Sequence, residues 1–193
     1  MTTPAPPPNP GTMLQFEGHA IVSADGMIAD RNGNVPSSLR NDADWKQYQA
    51  ALDKAVLVVT GRRGHERNPN PGRPRLVLTR SVPMLASDPQ DSRATFWNPA
   101  GLPLDTALAE LGVQAGTVAV TGVFGLFLPH LDSFLLSEAH GLVLAGGTPC
   151  FAAGHPRSVL AEAGFQPRDV SLIDAAAMVT STRWVLDSGE VNS

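Results

Sequence analysis

The sequence predicts an α/β protein with a mostly parallel sheet and an antiparallel edge at its C-terminal side. Short apolar runs typical of buried strands alternate with helical segments along most of the chain. Two late strands, 169–173 and 178–186, are separated by a short turn, which is typical of a closing hairpin. The 193 residues are sufficient for one domain with a substantial core.

The individual elements follow from local signals. Residues 1–12 contain five prolines and no apolar periodicity, which predicts a disordered tail before a single domain of residues 13–193. Asn41 is a plausible N-cap for the first helix, which has acidic residues in its first turn. The predicted strands are 15–24, 56–60, 75–79, 94–97, 117–121, 133–139, 169–173 and 178–186. The predicted helices are 42–53, 104–111, 123–129 and 156–163.

Composition excludes several classes of function. The net charge of -4 gives no reason to expect a nucleic-acid or membrane-surface partner, so a small-molecule ligand is expected and a homodimer is left open. Cys150 is the only cysteine, and we expect a small packed residue and not a nucleophile. No apolar run has the length of a membrane span, so the cytoplasm is the expected location. The five histidines lack metal-ligand spacing, and no metal is expected.

Residues 56–81 carry the clearest functional signal. An apolar strand ends at Gly61-Arg62-Arg63-Gly64, and the next strand ends at Thr79-Arg80-Ser81. Glycine allows a phosphate to approach the backbone, and arginine binds a phosphate with two parallel hydrogen bonds. The pattern therefore predicts a polyanion site at the carboxyl end of the sheet. The alternative is that these arginines are solvated loop ends.

Six segments, in their order along the chain, resemble the dihydrofolate reductase superfamily. They are AIVSADGMIAD (20–30), VVTGRRGHE (58–66), PGRPRLVLTRS (71–81), VAVTG (118–122), FGLFLPHLDSFLLSEA (124–139) and GGTPCF (146–151). The closest resemblance in character is to the reductase domain of the bifunctional riboflavin-biosynthesis deaminase/reductase.

The resemblance implies a dihydrofolate reductase-like fold, with an eight-stranded, mostly parallel sheet flanked by helices. It also implies an NADPH-dependent reductase that acts on a pterin-like substrate or on a ribosyl-pyrimidine, as 5-amino-6-(5-phosphoribosylamino)uracil reductase does. The competing hypothesis is a non-catalytic nucleotide-binding protein on the same fold, because one fold hosts many functions.

The resemblance also implies which residues bind NADPH. Arg63 is the candidate for the adenosine 2′-phosphate, whose two charges favour bidentate donors. The residues that match cofactor-binding positions are Ala20, Gly61, Arg62, Arg63, Gly64, Thr79, Arg80, Ser81, Thr121 and Gly122.

The resemblance places the catalytic pair at Asp42 and Ser137, where folate reductases keep an acid and a supporting hydroxyl. Asp42 has a second interpretation, since an acid in the first turn also stabilises the helix dipole. Asp44 is a rival, but a residue two positions away points to another side of the helix. Asp25 and Met27, in the segment that matches the mobile nicotinamide loop, and Arg73 are the implied substrate-binding residues. Asp25-Gly26 is equally compatible with a plain turn.

Two departures from the family pattern affect the expected activity. The helix after Asn41 has Ala43, Asp44, Lys46 and Gln47 where folate reductases have apolar residues, so a smaller or more polar substrate than dihydrofolate is expected. The connection after Gly122 is shorter than the family pattern by about three residues. A real deletion there predicts weaker NADPH binding.

Overall fold

The computed structural model describes residues 13–186, so the predicted proline-rich tail lies outside the described residues. The strands are β1 (Leu14–Ser23), β2 (Met27–Ala29), β3 (Leu57–Gly61), β4 (Arg75–Leu78), β5 (Leu85–Ser87), β6 (Ala94–Trp97), β7 (Gly116–Thr121), β8 (Ser133–Ala139), β9 (Thr148–Pro149), β10 (Phe165–Asp174) and β11 (Val179–Leu186). The helices are α1 (Asp42–Lys54), α2 (Arg62–Arg67), α3 (Leu104–Glu110), α4 (Phe124–Phe127), which continues into a 3-10 turn (Leu128–His130), and α5 (Pro156–Glu162).

The central sheet has nine strands in the order β10-β11-β8-β1-β7-β3-β4-β6-β5. The six strands from β8 to β6 are parallel to their neighbours, and β10 and β11 form the predicted antiparallel edge. The predicted fold class is therefore confirmed, but the count of eight strands in the sheet is wrong. The ninth strand, β5, pairs antiparallel with β6 at the opposite edge. Its three residues are too few to show an alternating pattern.

The main hydrophobic core lies on the face of the sheet that α3, α4 and α5 cover. The sheet contributes alternate residues of its parallel strands, including Val22, Val59, Val120 and Leu136, which are all fully buried. Phe124 of α4 packs edge-on against Phe134 of β8 with 5.0 Å between ring centroids. This face is apolar because parallel strands covered by helices leave no contact with water.

Helix α1 covers the opposite face, where the sheet is more polar. Leu52 packs on Val58 and Ala119 near the C-terminal half of the helix. Nearer its N-terminus the helix faces polar side chains, and Ser181 donates a hydrogen bond to Gln47 Oε1 at 3.2 Å. The two faces of one sheet therefore have different chemistry.

Asn41 caps α1 as predicted. Its side-chain oxygen accepts hydrogen bonds from the backbone N–H groups of Ala43 and Asp44, each at 3.1 Å. Its side-chain nitrogen donates to Asp174 of β10 at 2.8 Å, so the same residue ties the helix to the C-terminal hairpin.

The Gly-Arg-Arg-Gly segment, where the sequence predicts the end of a strand, is the end of β3 followed at once by α2. Gly61 is the N-cap of this helix and makes no side-chain capping hydrogen bond. A side chain at Gly64 would meet the Thr60 hydroxyl at 2.6 Å, so a close approach requires glycine there. The segment is helical because its backbone must turn back along the sheet directly after β3.

Cys150 and two of the three tryptophans are buried. Cys150 is buried, and burial raises the pKa of its thiol, as expected of a packed residue. Trp97 and Trp184 are buried, whereas Trp45 is 52% exposed. Among the described residues, no helix is long and apolar enough to cross a membrane.

We expect Asn41→Ala to lower the free energy of unfolding by about 1 kcal/mol, because two N–H groups of α1 lose their acceptor. Urea denaturation followed by circular dichroism measures this change. Ser38→Ala, at an exposed position just before the helix, is the matched control and should leave the midpoint unchanged. Equal midpoints for the two variants would show that the cap contributes nothing.

Candidate functional site

The carboxyl ends of β1, β7, β3 and β4 lie side by side. They form one end of the parallel strands, which we call the carboxyl edge. Thr60 is in register with Thr121, and Gly61 is in register with Leu78. The segments Gly61–Gly64, Thr79–Ser81 and Thr121–Gly122 therefore come together at this edge, as the sequence predicted. In an open α/β sheet this is the edge where ligands bind.

Hydroxyl groups and arginines form an anion-compatible surface at the end of β4. The hydroxyl oxygens of Thr79 and Ser81 lie 2.9 Å apart, and the Ser81 N–H donates to Thr79 Oγ1 at 3.1 Å. Arg80 between them is exposed. Within residues 13–186, Arg63 and Arg80 form no ion pair with a carboxylate. Their charges are available to an external anion.

Arg62 has a different environment from Arg63. Its Nε lies 2.6 Å from Glu66 Oε1, and its guanidinium carbon lies 4.5 Å above the centre of the Phe96 ring. Arg63 instead extends towards Gly33 in the polar loop before α1. Of the two predicted phosphate ligands, Arg63 is therefore the one whose guanidinium has no competing contact of this kind among the described residues.

The connection from β7 to α4 is as short as the sequence indicated. Gly122, with φ of 75°, and Val123 are the residues between β7 and Phe124. A side chain at Gly61 would meet Val123 Cγ1 at 3.1 Å, so the short connection lies close to the end of β3. This proximity narrows the space between the end of β3, at Gly61, and the end of β7, before Gly122.

The structure does not place Asp42 next to Ser137. Asp42 is exposed in the first turn of α1, where its charge faces solvent and the helix dipole. Asp44 is the acid that faces the sheet, beside Ser137 of β8 and His19 of β1. The resemblance therefore placed the acid beside Ser137 two residues too early, because Asp44 and not Asp42 lies on the side of α1 that faces the sheet.

Asp44 has the electrostatics of a proton donor. Burial raises the pKa of its carboxyl group, and Ser137 and then His19 partly offset this effect. The Ser137 hydroxyl is buried and has no hydrogen-bond partner among the described residues, so it lies near the carboxyl group without a direct hydrogen bond of good geometry. A raised pKa means that Asp44 keeps its proton to a higher pH than an exposed aspartate does.

Tyr48 lies one helical turn after Asp44 and also faces His19 of β1. Its ring lies edge-on to His19 with 6.3 Å between ring centroids. Burial raises the pKa of its hydroxyl, which Asn70 and Thr121 then lower. Thr121, predicted as a cofactor ligand, thus faces the α1 side and also donates to the Val59 carbonyl at 3.3 Å.

Glu17 and His19 are in contact on β1 beneath α1. His19 Nε2 lies 2.8 Å from Glu17 Oε1, although the alignment is not that of a straight hydrogen bond. The other Glu17 oxygen accepts from Ser133 at 3.0 Å and from Arg183 at 2.7 Å. The contact with His19 is the largest cause that lowers the pKa of Glu17, to about 2. Glu17 is therefore ionised at neutral pH.

Of the predicted substrate-binding residues, Asp25 and Met27 lie together, since both bind the Ser23 hydroxyl, whereas Arg73 is elsewhere. Asp25 accepts from the Ser23 hydroxyl at 2.6 Å and from the Leu144 N–H at 3.0 Å, which fits the turn interpretation. Met27 lies in β2, which pairs with β9. Arg73 precedes β4 and so lies at the amino end of the parallel strands, where Asp53 and Gln49 bind its guanidinium.

Ala20 of β1, predicted as a cofactor ligand, is partly buried and packs against the main core.

An open cleft of about 520 Å³ lies outside α1, between the helix and the loop of residues 67–73. Trp45, Gln49 and Arg73 are among the residues that line it. The cleft adjoins the outer side of α1.

Sequence reasoning missed Glu17, His19 and Tyr48 and set Asp44 aside. A signal for the first two was present, since a central parallel strand normally carries apolar residues on both faces. Glu17 and His19 are alternate residues of β1, so they must share one face. Two polar residues on that face indicate a polar site beneath the covering helix.

Comparisons with known proteins agree on the fold. No protein-family model and no curated protein matches the sequence. A proposed riboflavin biosynthesis protein from Shewanella sp. PV-4 superposes with a TM-score of 0.65 at 19% identity, over 89% of this chain and 98% of that one. Dihydrofolate reductase from Enterococcus faecalis, solved with NADP(H), superposes with a TM-score of 0.63 at 18% identity, over 90% of this chain and 96% of that one.

A two-activity protein from Thermotoga maritima is also similar. This diaminohydroxyphosphoribosylaminopyrimidine deaminase/5-amino-6-(5-phosphoribosylamino)uracil reductase superposes with a TM-score of 0.64 at 16% identity. The match covers 90% of this chain and 57% of that protein, so this chain spans little more than half its length. At these identities the similarity shows a dihydrofolate reductase-like fold, which these oxidoreductases share.

We expect Asp44→Asn and Asp42→Asn to change stability with opposite signs at pH 7. Because the folded-state pKa of Asp44 is raised, ionisation of Asp44 destabilises the folded state as pH rises above the unfolded value. Asn removes that cost, so Asp44→Asn should increase the free energy of unfolding, and the gain should shrink below about pH 4. Asp42→Asn loses a helix-dipole interaction and should cost about 0.5 kcal/mol.

Urea denaturation at pH 7 and pH 4 measures both effects. Equal destabilisation by the two variants at pH 7 would show that the Asp44 carboxylate is not penalised by burial.

Proposed function

We propose that this protein is an NADPH-dependent reductase of a small heterocyclic substrate, either a ribosyl-pyrimidine of the riboflavin pathway or a pterin-like compound. The observation that carries the proposal is a partly buried acid, Asp44, beside a hydroxyl, Ser137, on the sheet whose carboxyl edge carries the segments of Arg63, Thr79 and Ser81. A proton donor and an anion-compatible surface on one dihydrofolate reductase-like fold are the two requirements of this reaction.

The phosphate end of NADPH fits the residues present. Arg63 and Arg80 would hold the 2′-phosphate, together with the paired hydroxyls of Thr79 and Ser81, since guanidinium groups and hydroxyls are the preferred donors to phosphate. Gly61 and Gly122 would allow the rest of the cofactor to approach the strand ends. When bound, the cofactor supplies a hydride.

Asp44 would supply the proton that accompanies reduction. Its raised pKa keeps a fraction of the carboxyl groups protonated at higher pH, and its place in the first turns of α1 directs it towards the sheet. The side chains between α1 and the sheet, among them His19, Asp44, Tyr48 and Ser137, form a polar layer. Ser137 and Tyr48 would orient the heterocycle, because their hydroxyls both lie within this layer. The activity should therefore decline as pH rises through the pKa of Asp44.

The composition of this layer favours a polar substrate. The inner face of α1 presents Asp44, Gln47 and Tyr48. A ring rich in N–H and C=O groups would satisfy these side chains, whereas an extended apolar aromatic group would leave them without partners. This supports a pyrimidine-type heterocycle over dihydrofolate.

A second candidate is a nucleotide-binding protein without turnover. The short connection at Gly122 and Val123, which lies against Gly61, favours this alternative because it reduces the space for a cofactor between β3 and β7. Titration with NADPH and NADH, followed by tryptophan fluorescence, separates the cases. NADPH binding together with substrate-dependent oxidation supports the reductase, binding without oxidation supports the alternative, and no binding of either nucleotide contradicts both.

We expect Arg63→Ala to weaken NADPH binding about tenfold and to leave NADH binding nearly unchanged, because it removes a charge-assisted contact with the 2′-phosphate. Isothermal titration with both nucleotides measures the difference. Arg62→Ala is the matched control with a smaller expected effect, since Glu66 and Phe96 already engage Arg62. Equal weakening of NADPH and NADH by Arg63→Ala would remove Arg63 from the 2′-phosphate role.

We expect Asp44→Asn to lower kcat about a hundredfold, as for loss of a general acid, with a smaller change in NADPH affinity. Asp42→Asn should change kcat less than about twofold, because its exposed side chain lies outside the polar layer. Steady-state oxidation of NADPH with the accepted substrate measures both. A larger loss of kcat in Asp42→Asn than in Asp44→Asn would indicate that Asp42 is the proton donor.

A further inference from the structure

We propose that Arg63 and Arg67 of α2 bind a phosphate monoester between them at the polar loop of residues 31–34. We call this pair of arginines the phosphate clamp. The phosphate belongs either to the cofactor or to a phosphorylated sugar of the substrate. The choice between these two sources rests on the proposed function, but phosphate binding is a property of the free protein. Arg67 has no role in the reaction outlined above.

Helix α2 carries two pairs of charged residues at a spacing of four. Arg62 and Glu66 have opposite charges and are in contact, with 2.6 Å between Arg62 Nε and Glu66 Oε1. Arg63 and Arg67 have the same charge, and at this spacing they lie on one side of the helix. Like charges four residues apart destabilise a helix, whereas an anion bound between them stabilises the pair.

The guanidinium groups of the clamp converge on Gly33 in the loop before α1. A Cβ atom at Gly33 would lie 3.2 Å from Arg67 Nη1 and 3.9 Å from Arg63 Nη1, so both groups approach the same point of the loop. Arg67 Nη2 also donates to the Asn32 carbonyl at 3.4 Å. Both arginines are exposed, and within residues 13–186 neither forms an ion pair with a carboxylate. A phosphate can therefore reach both.

The loop is held in the conformation that receives these side chains. Asp30 Oδ1 accepts the N–H groups of Asn32 at 2.9 Å and of Asn34 at 2.8 Å. The Asp30 N–H donates to the Asn34 carbonyl at 2.8 Å, and Gly33 at the centre of this turn has φ of 73°. The carboxylate of Asp30 is thus engaged by backbone N–H groups of its own loop.

Helix α2 is fixed to the rest of the protein on its buried side. His65 is 8% exposed, and its Nε2 lies 2.9 Å from Asp88 Oδ2, just after β5. Arg63 and Arg67 therefore extend from an anchored backbone. Phosphate binding then orders little besides the two side chains, which limits its entropic cost.

A phosphate monoester fits the clamp better than a single carboxylate does. Near neutral pH it carries about two negative charges and has three acceptor oxygens, so it can accept from two guanidinium groups at once. Arg67 also lines the open cleft outside α1. The phosphate can therefore arrive with the cofactor at the carboxyl edge or with the substrate in the cleft.

The test is isothermal titration of the full-length, ligand-free protein with two phosphate esters. 2′-AMP carries the phosphate of the cofactor, and ribose 5-phosphate carries that of a phosphorylated sugar. Adenosine and ribose are the phosphate-free counterparts. We expect one ester to bind, its counterpart to bind much more weakly, and added salt to weaken the binding. The ester that binds more tightly identifies the source of the phosphate.

Arg67→Ala should weaken binding of that ester about tenfold, because one charge-assisted contact is lost. Arg67→Glu should abolish it, since the introduced carboxylate would pair with Arg63. Arg168→Ala is the matched control, because it removes an exposed positive charge from β10, which four strands separate from β3. It should leave binding unchanged. Circular dichroism confirms that each variant is folded.

Turnover separates the clamp from the proposed function. Unchanged ester binding in folded Arg67→Ala, or no binding of either ester, would overturn the clamp. Ester binding that depends on Arg67, without NADPH oxidation by the unchanged protein, would contradict the reductase and retain the clamp. An active reductase in which Arg67→Ala leaves KM unchanged for both NADPH and substrate would contradict the clamp and retain the reductase.

Discussion

The parallel pairing of β1 with β7 on one side and β8 on the other is the constraint on which the candidate site depends. Through this pairing Glu17 lies opposite Ser133 and Ile21 lies opposite Ser137. A side chain at Gly18 would collide with the Phe134 ring, so glycine is required where β1 and β8 pack on the apolar face. A shift of one residue would move Glu17 and His19 into the main core.

The two faces of the sheet therefore contribute differently to the stability of the fold. The face covered by α3, α4 and α5 stabilises the fold through apolar burial. The face covered by α1 buries His19 and Ser137, which have polar atoms without a partner among the described residues, and partly buries Asp44. Polar burial of this kind opposes stability. Partial burial of Asp44 between α1 and the sheet raises the pKa of its carboxyl group.

The site combines these features at one end of the strands. Parallel strands direct their carboxyl ends to the same edge, so the segments that carry Arg63, Thr79 and Gly122 begin side by side although they are distant in sequence. Helix α1 begins at that edge because β1 ends there, which places Asp44 within reach of β8. The strand order and the start of α1 thus bring the anion-compatible surface and the partly buried acid to the same end of the strands.

The sequence by itself determined the alternation of elements, the antiparallel hairpin at the edge, the Asn41 cap and the segments that meet at the carboxyl edge. These depend on local periodicity, on capping chemistry and on the direction of parallel strands. Tertiary structure alone decided that Asp44 and not Asp42 faces Ser137, because the rotation of α1 about its axis depends on how Tyr48 and Leu52 pack on the sheet. It also decided that β5 joins the sheet, that Arg62 is occupied by Glu66 and Phe96, and that Arg73 lies at the opposite end from Asp25. In each case the deciding partner is distant in sequence or depends on side-chain geometry, which a local pattern does not specify.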